Sequence, residues 1–145
     1  MSDPARSDVS LSAVRPTTAA AILAAAHAIL PHLQQGSRID APRLRAAMES
    51  AFGGSDAQGL WDWKTAYEAL EAASVLFVRR FGPAMSRRAG GPAGFLAQLA
   101  KLAGLLPTHT RRSEESQALQ QFSTPMGLGF AAATAAAFTP ADVVL

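Results

Sequence analysis

The sequence predicts an all-α fold, a bundle of four or five helices, on three observations. Ala supplies 32 of the 145 residues, and Ala is the strongest helix former. Large apolar residues recur three and four positions apart over long stretches, the spacing that lines one face of a helix. Pro and Gly punctuate the chain between most of those stretches. The composition, 49% hydrophobic and 17% charged, fits a chain that buries a core and excludes a polar disordered one. A chain of this length favours one domain, or one domain and part of another. The absence of Cys removes disulfides, thiolate metal sites and Cys nucleophiles. A net charge of +2 does not by itself argue for nucleic acid.

Residues 1–15 are rich in Ser and Asp and poor in apolar side chains, and are expected to form a disordered lead-in. The polar, acidic start MSDPARSDVS is not a secretory signal peptide, and no stretch reads as a membrane span, so the expected location is the cytoplasm. A helical domain is expected over 16–112. Its first helix starts at Thr17 or Thr18, runs from Ala19 to Leu33 and carries Ile22, Ile29 and Leu33 on one face. Pro31 is expected to kink it or end it early, with Gly36 as the stop. Asp40 caps a second helix with Pro42 in its first turn. Leu44, Met48 and Phe52 lie on its apolar face, and Gly53-Gly54 end it. Arg43 and Arg45 are read as solvated. The third helix is expected from Trp61 to Phe81, closed by Arg79 and Arg80 and followed at Gly82-Pro83 by a separate short helical piece. A fourth runs from about Ala93 to Leu106, with Phe95, Leu96, Leu99 and Leu102 on its apolar face and Pro107 as its end.

The last third of the chain has a different character. Thr108–Arg112 reads as a polar linker, and Ser113 can cap a short helix through Gln120. A helix with almost no charge is expected from Met126 to Phe138, and Val143-Val144-Leu145 looks like the opening of a buried strand. Such a pair asks for a sheet to pack on.

Candidate chemistry is sparse. His27 and His32 are five apart with Pro31 between, so no metal pair forms, and His109 stands in the polar linker. No nucleophile elbow or Walker loop is present, and Gly90-Gly91 and Gly127-x-Gly129 lack the spacing. Trp61 and Trp63 form an aromatic cluster that belongs to the core or stacks on a base. From Arg79 to Arg112 the chain carries Arg79, Arg80, Arg87, Arg88, Lys101, Arg111 and Arg112 and no acidic residue. Such a segment either follows a phosphate backbone or is balanced by acids on the first two helices.

The segment Q-Q-F-S-T-P (Gln120 to Pro125), the apolar helix and T-P-A-D-V-V-L resemble the start of an N6-adenine DNA methyltransferase domain. Ile39 to Asp56, Trp61 to Ala69 and Leu105 to Pro125 are similar to the N-terminal region of bacterial strawberry-notch-like proteins, which join such a domain to a superfamily 2 helicase. The resemblance implies that 113–145 are the truncated start of a Rossmann-like methyltransferase domain. It implies that Phe122, Ser123, Thr124 and Pro125 help to hold S-adenosylmethionine in the complete protein. It also implies DNA as the partner, with Arg79, Arg80, Arg87, Arg88, Arg111 and Arg112 as the phosphate contacts, beside methyltransferase and helicase domains. The acidic, Gly-rich turn and the Asn-Pro-Pro-aromatic motif of that family are missing from the sequence, so catalysis by this chain alone is not expected. The alternative expectation is a helical docking module that binds no DNA.

Overall fold

The computed structural model describes residues 17–107, 124–137 and 141, and its regular elements are all helical; no strand occurs among the described residues. The expected lead-in over 1–15, the linker at Thr108–Arg112, the short helix from Ser113 to Gln120 and the strand opening at Val143–Leu145 lie outside the described residues.

Helix α1 (Thr18–Gln34) starts where Thr17 Oγ1 accepts from the Ala20 N–H at 3.3 Å. Its Ala21, Ala25, Ala26, Ile29, Leu30 and Leu33 are buried, the three- and four-residue spacing that packs one stripe inward. Pro31 lies inside α1 and does not end it. The helix exposes Pro31, so the carbonyl one turn earlier, deprived of its N–H partner, can turn to water. Buried Leu30 and Leu33 hold the turn on either side of it.

Helix α2 (Ala41–Phe52) has the expected ends. Asp40 Oδ1 accepts from the Arg43 N–H at 3.0 Å, and Gly53 closes it in the left-handed region at φ 75°. Leu44 and Met48 are its two fully buried residues. A short 3-10 turn (Asp56–Gln58) follows it.

Helix α3 (Trp63–Arg88) corrects the sequence reading, because it runs unbroken through Gly82 and Pro83. Its 26 residues span about 39 Å. Gly82 is buried, and a Cβ there would lie 3.3 Å from Val78 and 4.0 Å from Phe95. Pro83 is exposed, so the carbonyl one turn earlier, which lacks its N–H partner, can turn to water. Helix α3 packs on α1 along Ala66, Ala69, Leu70 and Ala73. Those alanines bring the two backbones close.

Helix α4 (Pro92–Ala103) buries Phe95, Leu99 and Leu102, and Leu102 reaches the main core. It ends three residues earlier than expected, after which the Leu105 carbonyl accepts from the Ile39 N–H at 2.7 Å. That bond ties the end of the helical unit to the α1–α2 connection. Helix α5 (Met126–Ala135) lies on α4 through Phe130, whose ring meets Phe95 edge-on at 4.8 Å between centroids. It buries no residue, and Leu128 is 63% exposed. No helix among the described residues is long and apolar enough to cross a membrane.

The start of α3 supplies the first test. Asp62 Oδ1 accepts from the Thr65 N–H and the Thr65 hydroxyl, each at 2.7 Å. Chiefly the backbone bond, then the hydroxyl bond, hold the Asp62 carboxyl below its usual value of 3.8, with Lys64 adding a little. A lowered folded-state pKa gives stability that is present above pH 3.8 and lost as the pH falls through the lower folded value. Asp62→Ala is expected to cost about 1 kcal/mol near neutral pH. The gap from the unaltered protein should shrink in acid, as read by urea unfolding at a series of pH values.

Candidate functional site

Four of the six arginines expected to contact phosphate fall on the last three turns of α3. Arg79, Arg80, Arg87 and Arg88 are all exposed, and none makes a salt bridge among the described residues. No acid on the first two helices forms an ion pair with them among the described residues. Helical geometry sorts the four, at about 100° per residue. Arg80 and Arg87 are seven apart and share a line, while Arg79 and Arg88 turn away by about a quarter circle to opposite sides. The group fans over half of the helix surface and is not a single stripe. The Arg80 guanidinium also lies 5.3 Å from the centre of the Phe81 ring, and Phe81 in turn meets Phe77 at 5.0 Å. Arg87 and Arg88 close the last turn, where the negative end of the helix dipole favours cations. Lys101 on α4 is exposed as well. Arg111 and Arg112 lie outside the described residues.

Of the residues expected at the cofactor, Phe122 and Ser123 also lie outside the described residues. Thr124 and Pro125 are exposed and immediately precede α5. Pro125 is the N-cap, no side chain caps the helix, and the Pro125 carbonyl accepts from the Leu128 and Gly129 N–H groups. The N–H groups of Met126 and Gly127 precede that ladder and lack a side-chain acceptor.

The tryptophan pair has a structural role. Trp61 is buried, and its Nε1–H donates to the Gly54 carbonyl at 2.9 Å. Trp63 meets Trp61 edge-on at 5.8 Å and Tyr67 at 6.3 Å. The flat faces are taken by Arg45, whose guanidinium carbon lies 5.9 Å from the Trp61 ring and 5.4 Å from Trp63. Arg45 Nη1 also pairs with Asp56 Oδ1 at 2.5 Å. The expectation that Arg45 is simply solvated is thus corrected: it is half-exposed and fixes the turn after α2 to the start of α3. Nothing in the sequence pairs Arg45 with Asp56, because the stretch between them includes the whole Gly53-Gly54 reversal. Among the described residues, no group of three His, Asp or Glu side chains is placed to hold a metal ion.

No family model, curated protein or solved structure matches the chain.

Proposed function

We propose that this helical unit positions duplex DNA for an adenine-methyltransferase and helicase type of protein, with the end of α3 as the contact. The carrying observation is that Arg79, Arg80, Arg87 and Arg88 are exposed on one helix end and free of salt bridges among the described residues. The resemblance of Gln120 to Pro125 supplies the class of protein, and Arg111 and Arg112 extend the basic segment toward it. The chain's own part is to bind phosphate and orient the duplex, and it carries out no catalytic step. In the complete protein the segment Phe122, Ser123, Thr124 and Pro125 would help to hold S-adenosylmethionine, the methyl donor of that family. The described part of the segment fits one end of that molecule. A carboxylate suits the uncapped N–H groups of Met126 and Gly127. The Rossmann-like continuation after α5 belongs to the same proposal.

The fan of arginines limits the expected charge count. Arg80 and Arg87 with one flanking arginine can face a duplex together, which makes about three phosphate contacts. The slope of log K against log salt should then be about −2 to −3. Fluorescence anisotropy with a labelled duplex measures it. The double variant Arg80→Gln, Arg87→Gln should bind at least about tenfold more weakly and lose about two from the slope. Absence of binding at about 50 mM salt overturns the proposal.

One observation favours a second reading. Helix α5 carries no charged residue and buries none of its side chains. An apolar surface of that kind marks a docking face. On this reading the unit packs on the methyltransferase and helicase domains and binds no DNA, which is the outcome that the same titration would return as silence.

A further inference from the structure

Between α1 and α2 lies a trough of about 240 Å³ that the reading above does not use. Buried Ile29 and Ile39 form its floor, and the small side chains of Ala28, Ala46 and Ala47 leave it open along its length. His32 and Arg43 stand at the end beside the α1–α2 connection, and Ser50 lies toward the other. No acidic side chain lines it. The nearest carboxylate in sequence, Asp40, accepts from the Arg43 backbone N–H and makes no salt bridge with its guanidinium. Arg43 Nη1 instead donates to the Arg38 carbonyl, so a backbone oxygen steadies the cation without cancelling its charge. An apolar trough with a steadied, uncompensated guanidinium at one end is complementary to an anion with a hydrocarbon tail.

We propose that this trough binds a small monocarboxylate with an apolar body, the carboxylate on Arg43 beside His32 and the tail over Ile29 and Ile39. Hexanoate, a carboxylate on a short apolar chain, is a simple anion of that shape. Guanidinium suits the task because it presents paired N–H donors to the two carboxylate oxygens. The site is independent of the DNA reading, since the α3 arginines lie on another element.

The test is a chemical-shift titration of the full chain with hexanoate, using hexanamide as the neutral match. Saturable shifts are expected at the amides of Ile29, Ile39 and Ala47. Hexanamide should bind at least about tenfold more weakly, because it lacks the charge that Arg43 selects. Arg43→Gln should weaken hexanoate by a similar factor, and Ala46→Leu should abolish binding by filling the trough. Far-ultraviolet circular dichroism checks that both variants keep their helix; both positions are exposed. The hexanamide comparison needs no variant at all. Shifts that do not saturate, equal binding of hexanamide, or unchanged binding by a folded Arg43→Gln variant would each overturn the proposal.

Discussion

Leu44→Ala is expected to lower the unfolding free energy by about 2 to 5 kcal/mol, the range for a large-to-small change in a filled core. Leu44 is 0% exposed, and it and Met48 are the two buried residues that hold α2. Removing one leaves a cavity facing the α1 and α3 alanines, whose short side chains cannot reach across to fill it. Domains of this size are stable by about 5 to 15 kcal/mol, so the change consumes a large share. Urea unfolding followed by circular dichroism should show an earlier midpoint with an unchanged slope. A loss under about 1 kcal/mol would mean that α2 is held elsewhere.

Gly94→Ala should also destabilise, although propensity argues the reverse. Ala in a helix interior is favoured over Gly by about 1 kcal/mol. A Cβ on Gly94, however, would sit 2.0 Å from the Ala89 carbonyl oxygen and 3.0 Å from its carbon. Backbone cannot rotate aside as a flexible side chain can, so the corner between α3 and α4 must open. That corner turns on Gly90 at φ 69° and Gly91 at φ 137°, conformations suited to glycine. The net cost is expected to be about 1 to 3 kcal/mol, typical of overpacking. It should be local: Phe95 loses its seat, and with it the Phe130 contact that holds α5. Hydrogen exchange should quicken in α4 and α5 while the amides of Leu44 and Met48 stay protected. A more stable variant would show that propensity outweighs the clash.

The capping chemistry was legible residue by residue. Thr17, Asp40 and Gly53 stand where a hydroxyl, a carboxylate and a left-handed glycine each satisfy a helix end. The apolar faces of α1, α2 and α4 were legible for the same reason, since periodicity and burial are two views of one constraint. Pro83 was misread as a break. A proline costs a helix one hydrogen bond and some bending, but Pro31 and Pro83 point to solvent while Leu33 and Gly82 beside them are buried. Tertiary packing outweighs that local cost, and no sequence rule sees it. The candidate DNA contacts were legible as a list, but their fan around α3 follows from the unbroken helix, which the expected break at Gly82-Pro83 hid. The trough between α1 and α2 was invisible because it is defined by what Ala28, Ala46 and Ala47 lack.

Both indoles of the chain sit in one corner, Trp61 sealed against the Gly54 carbonyl and Trp63 beside it under the Arg45 guanidinium. Intrinsic emission is therefore a local gauge of the joint where α2 hands over to α3. It is blind to the far end of the molecule, where α5 rests on α4. An optical melting curve and a helix-content curve report different places in this protein, and any gap between them measures how early the greasy terminal helix lets go.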